Sequence, residues 1–178
     1  MKLVILDRDG VINQDSDQFI KSPQEWVCLP GSAEAIARLN QAGWCVAIAT
    51  NQSGIARGLF DPTTLERIHD HMRRQLAAVG ARIDAIAVCP HGPDDGCRCR
   101  KPQPGLLEVL AARFGVILRG VPVVGDAWRD LQAARAVGAQ PILVQTGKGA
   151  LTAARYAQHL GDVVQVADLR AAVQWLLD

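Results

Sequence analysis

The sequence is short of several things at once, and each shortage closes off a class of protein. No apolar run approaches the roughly 20 residues that a bilayer-spanning helix needs. The opening Met1-Lys2-Leu3-Val4-Ile5-Leu6 meets Asp7 too soon to supply the hydrophobic segment of a secretory leader. No membrane partner and a cytoplasmic location are therefore expected. Neither sign of charge is in surplus: Lys plus Arg total 19 against 18 for Asp plus Glu, a formal net charge of +1, which argues against a nucleic-acid-coating surface. Aromatic residues make up 4% of the chain, and nowhere do several gather into a platform on which bases could stack. There is no internal repeat, no low-complexity tract and no linker. What remains is 178 residues at 49% hydrophobic and 21% charged, the profile of one globular domain over residues 1–178, able to bury a core without disulfide staples.

Short apolar runs alternate with helical patterns from end to end. Strands are predicted at Lys2–Leu6, Trp44–Ala49, Ala85–Cys89, Val121–Val124, Pro141–Val144 and Val163–Val166, each with little polar alternation, as strands covered on both faces read. Helices are predicted at Ser32–Ala42, Thr63–Val79, Pro104–Phe114 and Asp130–Val137, with Asp61-Pro62 as a start signal and Gly43, Gly80, Gly115 and Gly138 as left-handed closures. The fold class is α/β, a Rossmann-like doubly wound parallel sheet. The only long irregular stretches are Asn13–Pro30 and Pro90–Pro102. Neither has room for a cap domain, so any substrate must be gripped by loops.

In such sheets ligands bind beyond the carboxyl ends of the strands. Those ends deliver Asp7-Arg8-Asp9-Gly10, Thr50-Asn51-Gln52-Ser53-Gly54, Arg100-Lys101-Pro102 and Gly125-Asp126. Taken singly, each has an ordinary reading as a turn residue, a cap or a solvated charge. Together they suit phosphoryl transfer, which needs an in-line nucleophile, neutralisation of the phosphoryl oxygens and protonation of the leaving alkoxide. Asp7 is placed to attack and Asp9, two residues on, to act as general acid and base. Thr50 and Lys101 would hold phosphoryl oxygens, and Asp7 and Asp126 would bind Mg²⁺.

These residues resemble the haloacid-dehalogenase-like (HAD-like) phosphatases along almost the whole chain. Asp7-Arg8-Asp9-Gly10-Val11-Ile12-Asn13 is similar to the family's first motif, Thr50 to its second, Lys101 to its third, and Gly125-Asp126 with Asp130 to its fourth. The resemblance implies a HAD-like, capless fold, Asp7 as nucleophile, and the backbone carbonyl of Asp9 on the metal. Ala127 departs from members that carry a lysine there. Thr50 to Gly58, Cys89-Pro90-His91 and Cys97-Arg98-Cys99-Arg100-Lys101-Pro102 are similar to a branch that acts on heptose 1,7-bisphosphate. That branch implies removal of the 7-phosphate, through an aspartyl-phosphate, on the way to nucleotide-activated heptose for lipopolysaccharide. Histidinol-phosphate phosphatases are the nearest enzymatic alternative, and a non-catalytic, zinc-stabilised module binding phosphate or nucleic acid is the alternative of another class.

Five cysteines is an odd count, but three of them, Cys89, Cys97 and Cys99, crowd with His91 into one window. Three thiolates and an imidazole complete a tetrahedral Zn²⁺ shell with no open position, so a structural zinc loop is predicted over 89–101, aiming Arg100 and Lys101. Cys45 and Cys28 read as packing residues, as do Trp128 and Trp175, while His69 and His71 read as solvated or capping. For a sugar bisphosphate substrate, Arg100 and Arg57 are the candidates for the second phosphate, and Asp15, Asp17, Asn51, Gln52 and Ser53 for hydroxyls. Lys148 reads as part of an exposed turn, and a monomer is expected.

Overall fold

The computed structural model describes residues 1–178. Its centre is a six-stranded sheet in the order β3-β2-β1-β4-β5-β6, every pairing parallel. The strands are β1 (Lys2–Leu6), β2 (Trp44–Asn51), β3 (Ala85–Cys89), β4 (Pro122–Gly125), β5 (Gln140–Val144) and β6 (Val164–Val166). The helices are α1 (Ser32–Gln41), α2 (Pro62–Ala77), α3 (Gly105–Phe114), α4 (Trp128–Ala136), α5 (Gly149–Arg155) and α6 (Leu169–Leu177). Successive side chains of β1 go to opposite faces: Val4 and Leu6 join Ile36, Leu39 and Val173 under α1 and α6, while Leu3 and Ile5 join Leu107, Leu110 and Ala133 under α3 and α4. Both faces are apolar and covered, which is why the strands read as unbroken hydrophobic runs.

The order of strands reverses beside β1, whose neighbours are β2 and β4. Connections leave β1 toward one edge and enter β4 toward the other, so a crevice opens at the carboxyl ends of these two strands. Asp7 follows β1 and Asp126 follows β4.

Local signals act as read. Asp61 caps α2 by accepting a hydrogen bond from the Thr64 amide at 2.7 Å, and Gly43, Gly80, Gly115 and Gly138 all take positive φ. Between β1 and α1 there is irregular chain and one 3-10 turn, Pro23–Glu25, with no inserted domain. Other expectations shift. β2 runs on through Thr50 to Asn51 because both pair in register with Val88 and Cys89 of β3. α4 begins at Trp128 rather than Asp130, which moves Arg129 into its first turn. α5, the 3-10 turn Ala157–His159 and α6 were not anticipated; α6 carries a legible start, since Asp168 accepts from the Ala171 amide at 2.8 Å.

Two side chains correct the sequence reading outright. His69 is fully buried rather than solvated, because it shares the inward stripe of α2 with Leu65, Met72 and Leu76. Trp175 is exposed instead of packed, since α6 turns Leu169, Ala172 and Val173 inward. Cys45, half-buried near the start of β2, packs as expected against the core cluster of Leu3, Ile5 and Leu107. Trp128 does pack, stacked on Tyr156 with ring centroids 4.4 Å apart.

Candidate active site

Asp7 follows the end of β1 directly and is buried at the wall of a cavity. Lys101 Nζ sits 3.0 Å from Asp7 Oδ1 and 2.8 Å from Asp130 Oδ1, and it also donates to the Ala49 carbonyl at 2.7 Å. The backbone of Lys101 is fastened to the end of β2: its amide donates to Asn51 Oδ1 at 3.1 Å and its carbonyl accepts from Asn51 Nδ2 at 3.0 Å. Asp7, Asp126 and Asp130 bring carboxylate oxygens within 4.8 Å of one another. Asp126 is held by the Lys148 amide, which donates to Oδ2 at 2.7 Å. Two glycines make room for it: a Cβ on Gly10 would meet Asp126 Oδ2 at 2.1 Å and one on Gly147 at 2.2 Å, and both residues have positive φ.

One ammonium among three buried carboxylates leaves negative charge in excess, and the ionisation of the group shows it. Burial pushes Asp7 up to about 6 against the pull of Lys101, and burial, with Asp130 and Asp7 adding repulsion, pushes Asp126 up to about 8. Asp130 goes the other way: burial raises it, but Lys101 and Arg129 outweigh this and hold it below the usual carboxylate range. The donor set therefore fits a hard divalent cation lying between Asp7 and Asp126, with Asp130 serving the lysine.

Asp9 is held apart from this cluster. Its carboxylate accepts from Arg8 Nη2 at 2.9 Å, from Asn13 Nδ2 at 2.8 Å and from Gln52 Nε2 at 2.9 Å. Burial alone would raise its pKa, but the charge of Arg8 and these hydrogen bonds bring it below the ordinary value. Arg8 is itself fully buried and its Nη1 lies 3.2 Å from His69 Nε2. Burial and the adjacent guanidinium take His69 down to about 3, so the ring is neutral and accepts.

The structure brings every candidate phosphoryl and loop residue to one rim, with different tasks for some. Thr50 is buried and its Oγ1 accepts from Gln52 Nε2 at 2.9 Å. Gln52 and Asn51 are thus engaged with Asp9, Thr50 and Lys101, and both also line the cavity where the sequence reading placed them beside sugar hydroxyls. Asp15, Ser53, Arg57 and Arg100 line a cavity of about 210 Å³ together with Asp7 and Asp9. Arg57 lies over the Phe19 ring, 5.5 Å from its centroid, and Arg100 donates to the His91 carbonyl at 3.3 Å. Lys148 is no bystander in an exposed turn: its Nζ pairs with Asp15 at 3.4 Å and Asp17 at 3.7 Å across the mouth. Sequence reasoning gave no task to Arg8 or Arg129 and misread His69 as solvated or capping, and it left Asp130 and Asn13 as motif letters without tasks. Only His69 had a usable signal, the apolar stripe of α2.

Cys89, His91, Cys97 and Cys99 converge as their spacing predicts, with ligand atoms within 4.8 Å of one another. Cys89 and Cys97 sulfurs are 3.7 Å apart, Cys99 and Cys89 sulfurs 3.3 Å, and His91 Nδ1 is 3.2 Å from the Cys99 sulfur. Thiolates about 2.3 Å from a tetrahedral centre stand about 3.8 Å apart, so the set fits a zinc ion and not a disulfide. Burial pushes the Cys89 thiol up to about 12; burial acts on Cys97 in the same direction, but hydrogen bonds from the Arg100 amide and the neighbouring cysteines outweigh it and bring that thiol down to about 7.

A six-stranded parallel sheet with carboxylates at β1 and β4 and a lysine anchored to β2 defines a phosphoryl-transfer enzyme of the doubly wound class. The chain belongs to the haloacid-dehalogenase-like phosphatases. A HAD-hydrolase-like family model matches residues 98–172, and a polynucleotide kinase 3 phosphatase model matches residues 2–134. The chain is 60% identical over 177 residues to the D-glycero-beta-D-manno-heptose-1,7-bisphosphate 7-phosphatase of Bordetella bronchiseptica, covering 99% of this chain and 98% of that one. It is 49% identical over 168 residues to the enzyme of the same name from Neisseria meningitidis, covering 94% and 90%. Among solved structures, the D,D-heptose 1,7-bisphosphate phosphatase of B. bronchiseptica complexed with magnesium and phosphate superposes with a TM-score of 0.95 at 59% identity, over 99% of this chain and 98% of that one.

Proposed function

We propose that this protein removes the 7-phosphate of D-glycero-D-manno-heptose 1,7-bisphosphate, with Mg²⁺, as a step toward nucleotide-activated heptose. The observation that carries the reading is the convergence of Asp7, Thr50, Lys101 and Asp126 from four strand ends on one buried pocket, in a chain similar along its length to enzymes of that name. Asp7 and Asp126 side chains and the Asp9 carbonyl would hold the magnesium ion, which supplies charge neutralisation for carboxylates and phosphoryl oxygens when bound. Zinc in the 89–101 loop is the companion proposal, supported by the S₃N donor set.

Asp7 is the nucleophile. Its carboxylate oxygen attacks phosphorus, the bond from phosphorus to the sugar oxygen breaks, and an aspartyl-phosphate forms on Asp7. Lys101, held between Asp7 and Asp130, keeps Asp7 ionised and faces the phosphoryl oxygens together with the Thr50 hydroxyl. Asp9 gives its proton to the departing alkoxide. The approach of a dianionic phosphate offsets the pull of Arg8 and raises Asp9 enough to carry that proton. Asp9 then takes a proton from water, whose oxygen attacks the phosphorus of aspartyl-phosphate and returns Asp7 as a carboxylate.

The test is phosphate release, with Mg²⁺, from the β-anomer of the bisphosphate, the anomer for which the B. bronchiseptica relative is named, beside histidinol phosphate. Preference for the bisphosphate and loss of release in Asp7→Asn and Asp9→Asn are expected. Preference for histidinol phosphate overturns the substrate, and undiminished turnover by Asp7→Asn overturns the mechanism.

A further inference from the structure

His69 lies on α2, behind the site and not in it. It is fully buried and takes no part in the walls of the catalytic cavity, so substrate cannot reach it. Its one side-chain hydrogen bond is to Arg8, whose Nη1 stands 3.2 Å from His69 Nε2. A guanidinium offers only donors. Nε2 must therefore be the acceptor, which puts the ring's single proton on Nδ1, and Nδ1 is buried without a partner. The stripe that His69 shares with Leu65, Ile68, Met72 and Leu76 would be filled by another apolar side chain with no polar atom left unmet. What the ring adds at that site is the contact with Arg8.

Arg8 is spread between two partners. On one side Nε stands 3.2 Å from Asp9 Oδ1, and Nη2 stands 2.9 Å from Oδ1 and 3.1 Å from Oδ2; on the other side Nη1 meets the histidine. A planar fork held at both ends has its plane fixed, and the carboxylate it grips takes its orientation from that plane. Asn13 and Gln52 hold the same carboxylate at 2.8 and 2.9 Å, but each also bonds elsewhere, to the Gln14 carbonyl and to Thr50. His69 thus ties the Asp9 carboxyl, through one intervening side chain, to a helix of 16 residues packed on the core. Proton transfer to a departing oxygen depends on that aim, because the proton must lie on the line between the two oxygens.

We propose that His69 is a positioning residue for the phosphoryl-transfer step: by accepting from Arg8 it sets the guanidinium plane that aims the Asp9 carboxyl at the leaving sugar oxygen. The inference rests on Asp9 being the acid, as proposed above.

The experiment compares kcat/KM for heptose 1,7-bisphosphate, whose sugar alkoxide must be protonated as it leaves, with that for p-nitrophenyl phosphate, whose phenolate leaves without a proton. This constant covers the steps up to departure of the leaving group, so attack of water on the aspartyl-phosphate does not enter it. His69→Leu fills the core and removes the acceptor. It is expected to lower the bisphosphate value roughly tenfold or more and to leave the aryl value within about twofold of wild type. His69→Gln, which returns an acceptor oxygen, is expected to recover most of the loss. An equal loss on both substrates marks a merely structural role and overturns the inference; so does no loss, or a His69→Gln no more active on the bisphosphate than His69→Leu. If His69→Leu does not fold, His69→Met is held to the same ratio. The first turnover of Asp9→Asn separates the two readings. If that variant slows both substrates alike, Asp9 is not the acid and the mechanism proposed above falls with this inference; if it spares the aryl ester and His69→Leu does not, this inference alone falls.

Discussion

Arg8 bends forward onto the residue that follows it, placing Nη2 2.9 and 3.1 Å from the two carboxylate oxygens of Asp9. The guanidinium is fully buried, and His69 closes its remaining side at 3.2 Å. Two adjacent residues thus form an ion pair that sets both the direction and the charge of the proposed acid.

Arg8→Met removes one half of a buried pair and leaves the Asp9 carboxylate with only the hydrogen bonds of Asn13 and Gln52. A loss of about 3–5 kcal/mol in unfolding free energy is expected, as for other broken buried pairs. Asp9 also rises in pKa, so the limb of the pH–rate profile that it sets moves to higher pH: the alkaline limb where its proton donation limits turnover, the acidic limb where its removal of a proton from water does. Denaturant unfolding and a pH–rate profile measure the two effects; a profile unmoved on both limbs would show that Arg8 does not govern Asp9.

Asp130 is the second support of the lysine. In Asp130→Asn, Lys101 keeps Asp7 and the Ala49 carbonyl but loses the partner at 2.8 Å, and its ammonium is no longer aimed. Turnover is expected to fall by about 10²–10³, the scale seen when one preorganised electrostatic contact is removed. Steady-state kinetics beside circular dichroism tests this, and wild-type turnover would refute it.

His69 makes stability depend on pH. Its pKa falls from 6.5 to about 3 on folding, through burial and Arg8, so the unfolded chain binds the extra proton between those values. Stability from this group is whole above about pH 6.5 and declines as pH falls toward 3, by up to about 1.4 kcal/mol per pH unit. Asp7, whose pKa is raised to about 6 by burial, opposes it below pH 6, because the folded form there keeps a proton that the unfolded chain releases. The difference in melting temperature between wild type and His69→Gln, followed from pH 7 to pH 5, isolates the histidine. Wild type is expected to lose more over that range, and parallel curves would contradict the assignment.

Zinc removal should act on the loop and spare the sheet. The first of the metal's proposed ligands, Cys89, ends β3, and Arg100 and Lys101 follow the last, Cys99. Cys99→Ser, or dialysis against a chelator followed by Mg²⁺ alone, is expected to cut turnover at least about tenfold while far-ultraviolet dichroism stays near native. Metal content and activity are measured on the same sample; full activity from zinc-free protein excludes the role.

Much of this was open to the sequence alone. Runs such as Leu3–Leu6 and Val46–Ala49 are apolar on consecutive residues because both faces of a parallel sheet are covered, and that demand acts on the chain locally. The end of each strand then determines which side chains reach the rim, so Asp7, Thr50, Lys101 and Asp126 were legible without coordinates. Close ligand spacing likewise made Cys89, His91, Cys97 and Cys99 readable as one set.

What tertiary structure alone decided is which buried polar groups meet. His69 and Arg8 are 61 positions apart, and Lys148 reaches Asp126 across 22. Periodicity says that a residue faces inward, but the partner it finds depends on how α2 packs beside the β1 loop and where the loop after β5 returns. The same holds for Arg129, whose placement followed from α4 starting two residues early, and for Asn51 and Gln52, which line the cavity and are tied there to Lys101 and Asp9. Burial makes an unmet donor or charge costly, and only the assembled molecule determines which neighbour meets that demand.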